Sequence, residues 1–162
     1  MRSLLLLSIF SFIYSSCKKD ITKGGEKIEI YMLQSSNNIG NRCEVDPSTA
    51  VLAYDPLIAN DDVISYDRLK YKYVISQTAV NKIKQLGGRV PFAFTIDKEV
   101  IFYGYYMPNI MSSLCEESIT MDIVDNNKME LSLGYPFDNE NIDDKRNDAK
   151  IISTLSKQGK IR

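Results

Sequence analysis

A chain of 162 residues, 44% hydrophobic and 25% charged, is long enough for one domain around one sizeable core and is globular in composition. Twenty basic against twenty-one acidic side chains and a pI near 5.5 leave no positive field for phosphates, so nucleic acid is not an expected partner. The absence of histidine excludes Ser-His and Cys-His mechanisms and imidazole metal sites, the absence of tryptophan removes an indole platform, and no cofactor is expected.

Met1-Arg2 is followed by an apolar run from Ser3 to Tyr14. A membrane span needs about 20 such residues, so the run has the length of a signal-peptide core instead. It stops at Ser15-Ser16-Cys17, a small-small-cysteine sequence that resembles the lipobox of bacterial lipoproteins. The resemblance implies cleavage before Cys17 and a diacylglyceryl group on its thiol. Residues 1–16 are then a signal peptide, residues 17–27 a lipid anchor with a polar, glycine-bearing tether, and 28–162 a single domain. A retained hydrophobic helix with an incidental cysteine is the alternative.

Three cysteines are an odd count for an exported chain; lipid on Cys17 leaves Cys43 and Cys115 as an even pair. A disulfide between those two is expected, against the alternative of two separate buried thiols.

Along the domain, Ile28, Ile30 and Met32 alternate with Glu29 and Tyr31 at strand period. A turn-rich stretch around Cys43 follows, then a short strand over Val51 to Tyr54. Two strands are expected at Val63 to Tyr66 and Lys70 to Ile75, joined by a turn at Asp67-Arg68-Leu69. Ser76 is a helix N-cap, and Ala79, Val80, Ile83 and Leu86 form the apolar stripe of a helix from Gln77 to Leu86. "PFAFTIDKEVIFYGYY" reads as a hairpin turning at Asp97-Lys98, with Phe92, Phe94 and Ile96 on one face. Ser118 to Val124 and Met129 to Leu133 form a second hairpin, and the segment from Asp143 is helical, with Ile151, Ile152 and Leu155 inward. The fold class is therefore α+β: a small, mainly antiparallel sheet with one short central helix and a C-terminal helix.

The strings "PLIANDDVISYD", "KYVISQTAVNKIKQL", "VPFAFTIDKEVIFYGYYMPNIMSSLC", "LGYPF" and "DKRNDAKIISTLSKQGKIR" occur in an order that resembles a group of uncharacterised Gram-negative bacterial lipoproteins. That implies a lipid-anchored protein of the cell envelope, at the outer membrane. The section from Asp61 to Tyr106 is also similar to the head subdomain of the first periplasmic domain of SecD, with Lys98 where that hairpin has glycine. The similarity implies a fold, not a part in translocation.

Tyr103, Tyr105 and Tyr106 are candidates for an aromatic contact surface, although packing on the sheet accounts for them equally simply and is the preferred reading. The acidic pairs Asp61-Asp62, Glu116-Glu117 and Asp143-Asp144 are candidates for glycosidase or calcium chemistry, but neighbouring carboxylates diverge on a strand or a helix, and solvated caps and turns are the preferred reading. The expectation is a non-enzymatic module, held to the membrane by its N-terminal lipid, that binds an envelope protein or ligand. A carboxylate-dependent hydrolase of an envelope glycan or peptide is the alternative.

Overall fold

The computed structural model describes residues 25–162. Cys17, the expected signal peptide and most of the expected tether lie outside the described residues. Eight strands form one sheet: β1 (Ile28–Ser35), β2 (Val51–Leu52), β3 (Val63–Asp67), β4 (Lys72–Ile75), β5 (Val90–Ile96), β6 (Glu99–Tyr106), β7 (Cys115–Asp125) and β8 (Lys128–Tyr135). Their spatial order is β2-β1-β5-β6-β7-β8-β4-β3, and every neighbouring pair is antiparallel except β6 and β7. Two helices, α1 (Gln77–Lys84) and α2 (Ala149–Lys157), complete the α+β fold.

Strand period sends alternate side chains to opposite faces, and here each face has its own cover. Ile28 and Ile30 of β1, Phe92, Phe94 and Ile96 of β5, Phe102 and Tyr106 of β6 and Met129 and Leu131 of β8 meet Ala79, Val80 and Ile83 of α1 and Ile151 and Leu155 of α2 in the main core. Phe94 stacks on Phe102 at 5.0 Å and meets Tyr73 at 6.0 Å. On the other face Leu33, Ala93, Tyr105 and Met107 pack beneath the segment that carries Cys43 and Val45. A disulfide joins Cys43 to Cys115, with Cα atoms 5.1 Å apart, and staples that segment to the start of β7.

Local chemistry sets the element ends. Ser76 accepts the Ala79 N–H at 3.1 Å as the α1 N-cap, and its hydroxyl donates to Asp62. The helix stops at Lys84, two residues short of the expected end, because Gln85 and Leu86 turn their N–H groups to Lys82 and Ile83 in a tightened last turn. Strand β4 starts at Lys72 rather than Lys70, since Tyr71 sits at φ 54° behind a turn in which Lys70 N–H donates to Asp67. Helix α2 starts at Ala149 rather than near Asp143. Asp144 draws the Arg146 N–H to itself at 3.0 Å, an alternative to helical bonding, and Asp148 becomes the N-cap.

Both outer edges of the sheet are short or partly bonded. On the β3 side, Tyr66 N–H donates to Lys160 and Arg162 N–H to Tyr66, so residues 160–162 add as a short parallel strand. On the β1 side, β2 and the Ile30–Ile58 bridge occupy the ladder. Exposed strand edges invite pairing with other chains, and here one edge strand is two residues long and the other is bonded at Tyr66 by the 160–162 segment.

Candidate functional site

The parallel pairing of β6 with β7 is short. It joins Gly104, Tyr105 and Tyr106 to Ile119, Thr120 and Met121. A Cβ at Gly104 would run into the Ile119 carbonyl and the Phe92 ring, so only glycine lets the two strands close there. Before that point they part: Glu99–Phe102 and Cys115–Glu117 have no ladder partner across the gap. Strand β7 also carries extra residues between Cys115 and Ile119 relative to β8, which bends its first part out of register.

The resulting cleft encloses about 490 Å³. Phe102, Ile119 and Ile142 give it apolar surface, Tyr103 and Val45 flank it, and Arg42, Glu44, Glu116, Glu117, Asp143 and Lys145 supply charge. Several of these groups are already engaged. Arg42 lies 3.7 Å from Glu44 and Lys145 lies 3.0 Å from Asp143. Glu117 accepts the Cys43 N–H at 3.3 Å, the Ser118 hydroxyl donates to the Cys43 carbonyl at 2.6 Å, and Asn139 Nδ2 donates to the Glu116 carbonyl at 2.7 Å. The Glu116 carboxylate has no hydrogen-bond or ion-pair partner among the described residues.

Of the three tyrosines that were candidates for a contact surface, only Tyr103 lies on this cleft, half-buried. Tyr105 and Tyr106 are 2% and 5% exposed, which removes both as contact-surface candidates and agrees with the preferred reading that they pack on the sheet. The reason is position: β6 is fourth of eight strands, with the stapled segment over one face and the helices over the other. Tyr105 donates to Asn38 Oδ1 at 2.6 Å, and burial pushes both phenols above their ordinary pKa. The near-continuous apolar run of "VIFYGYYM" is the sequence signal of a strand covered on both faces.

The fold brings Glu116-Glu117 and Asp143 to the same cleft and leaves Asp61-Asp62 away from it. Asp62 accepts the Ala59 N–H at 3.1 Å and the Ser76 hydroxyl, Asp143 and Asp144 pair with Lys145 and Arg146, and Glu116-Glu117 form a wall of the cleft. Among the described residues no group of three or more acidic or cysteine side chains converges as a metal site. Nor is any helix among them long and apolar enough to cross a membrane. Arg42, Asn139, Ile142 and Lys145 reach the cleft from loops distant in sequence and carried no motif. Cys43 was the available signal, because its link to Cys115 carries the adjoining Arg42 and Glu44 to the rim.

A second groove on the helix-free face, about 690 Å³, runs past Asp122 and Glu130 to the exposed Phe137. Comparison with protein-family models, with curated proteins and with solved structures returns no match, so the chain's function has to be argued from this geometry.

Proposed function

We propose that the chain is a lipid-anchored protein of a Gram-negative cell envelope, at the outer membrane, that acts by binding a partner in the cleft between β6 and β7 rather than by catalysis. The anchor reading rests on Ser15-Ser16-Cys17 behind a short apolar run, and on the resemblance to envelope lipoproteins. A single acyl chain holds a membrane weakly, whereas the several chains of a mature lipoprotein hold stably. The binding reading is carried by one observation: the sheet opens internally, between β6 and β7, where Tyr103, the Glu116–Ser118 stretch and apolar side chains line one cleft. Concave sites with apolar surface and a few polar groups are where ligands are held.

The test places a photo-crosslinking amino acid at Tyr103 and, as control, at exposed Leu69, in cells expressing the full chain. A partner adduct from position 103 and none from 69 is the expected result. Cys17→Ser should move the protein from the membrane to the soluble fraction, and intact mass should show lipid on the wild type with residues 1–16 removed. An unlipidated wild type overturns the anchor, and equal or absent crosslinking at the two positions overturns the site.

A further inference from the structure

We infer that the occupant of the cleft is an extended segment of a partner polypeptide that adds to the sheet as a strand, with a lysine or arginine of that segment held by Glu116 and Glu117. The inference rests on the binding reading above and specifies the chemistry of the partner.

The backbone carries the argument. A strand bonds on two sides, and β6 is satisfied by β5 along Glu99–Tyr106 but by β7 only from Gly104 onward. Strand β7 is bonded to β8 on its other side, through Cys115 and then from Ile119. With residues 160–162 on β3 and with β2 on β1, the free ladder positions near the middle of the sheet lie along this gap. At about 3.3 Å per residue, the unpaired stretch accommodates roughly four extended residues. The Glu116 carbonyl is already met by the Asn139 side chain, so the open positions are the other backbone groups of this stretch.

The side chains give the preference. An added strand points alternate residues inward and outward, which matches an apolar floor of Phe102, Ile119 and Ile142 beneath a charged rim. At that rim the two cations are committed, Arg42 to Glu44 and Lys145 to Asp143, while Glu116 and Glu117 have no cation. The surplus is negative, and a basic side chain complements it.

The test uses the purified full chain and a phage-displayed library of random dodecapeptides, followed by synthetic peptides from the enriched sequences. Alternating apolar residues with a lysine or arginine should be enriched. In hydrogen exchange followed by mass spectrometry, such a peptide should slow the amides of 99–103 and 115–118 at least tenfold. N-methylation of alternate peptide amides should weaken binding at least tenfold in one of the two phases, and Glu116→Gln with Glu117→Gln should weaken it several-fold and flatten its salt dependence. Because Cys43 N–H leans on Glu117, near-ultraviolet circular dichroism checks that this double variant keeps its fold, and Glu116→Gln alone serves if it does not. No enrichment over a control domain, protection elsewhere, or indifference to N-methylation in both phases overturns strand addition. Concentration-dependent dimers that protect the gap without peptide assign it to a second copy and also overturn the inference. If these arms fail while position 103 still crosslinks a partner in cells, the binding reading stands and only strand addition falls.

Discussion

The guanidinium of Arg146 lies 3.6 Å over the ring of Tyr71, which is held at φ 54°. Arg146 is 6% exposed, forks onto both carboxylate oxygens of Asp144 at 2.9 Å and donates to the Leu131 carbonyl at 3.2 Å. Asp144 is held below its ordinary pKa chiefly by the hydrogen bond from Arg146. Asp144→Asn therefore strands a buried cation and should cost about 3 kcal/mol, at the low end for buried pairs because Asp144 is partly solvated. Arg146→Lys should also destabilise, since lysine lacks the planar fork. Urea midpoints decide it, and an unchanged Asp144→Asn midpoint would refute the clasp.

The disulfide closes a sequence separation of 72 residues. In the chain-entropy model that is worth ~4 kcal/mol, reduced by any strain in the native state. Cys43→Ser and Cys115→Ser should destabilise alike, and the double variant should add little to either. Two free thiols in the denatured, unreduced protein would contradict the link directly.

Phe94 is fully buried between Tyr73 and Phe102, so Phe94→Ala should cost about 3–5 kcal/mol. Tyr105→Phe keeps the ring and removes only the bond to Asn38, a loss of about 1 kcal/mol. Calorimetry that found Tyr105→Phe as damaging as Phe94→Ala would show that the hydroxyl matters far more than one hydrogen bond.

Asp97 and Lys98 both have positive φ, 50° and 66°, in the β5–β6 turn. Asp97 has a compensation, since its carboxylate accepts the Lys27 N–H at 2.8 Å. No hydrogen bond or ion pair of the Lys98 side chain accompanies its strain among the described residues. Lys98→Gly should therefore stabilise by about 1 kcal/mol, and a lower denaturation midpoint would count against it.

Asp122 stands opposite Glu130 across β7 and β8. Burial, and then Glu130, raise its pKa above the ordinary 3.8, opposed by N–H groups of Ile123 at 2.7 Å and Asn109 at 3.1 Å. A raised folded pKa favours the protonated form. Its stabilising contribution is complete below the ordinary value and is lost as pH rises through the raised one. Denaturation from about pH 4 to about pH 7 should show a shallower loss of stability with rising pH in Asp122→Asn than in the wild type. Identical slopes would refute the assignment.

What the sequence revealed of this fold follows the range of the interactions involved. The Phe92–Tyr106 hairpin, the Ser76 cap and the α1 stripe depend on neighbours a few residues apart, and periodicity exposes them. The extent of α2 escaped because Asp144 and Arg146 trade helical bonding for a clasp with Tyr71, across more than seventy positions. The cleft was illegible for a related reason. It is defined by where β6 and β7 stop pairing, and that depends on Gly104, the β7 bulge and a rim drawn from two loops distant in sequence. Cys43, Tyr103, Glu116-Glu117 and Asp143 each stood out singly in the sequence, but nothing there joined them, and Tyr105 and Tyr106 serve the core instead.

The bonds of residues 160–162 to Tyr66, together with those of Thr154, Lys157 and Gln158 to Glu26, carry a consequence for how the molecule is completed. They connect segments about a hundred or more positions apart, so a chain delivered from its N-terminal side has an unfinished β3 border and an unroofed core until the residues after 148 arrive. During that interval the half-built sheet offers its bare margin to whatever strand lies nearby. One short helix and three residues thus decide whether that border is bare or bonded.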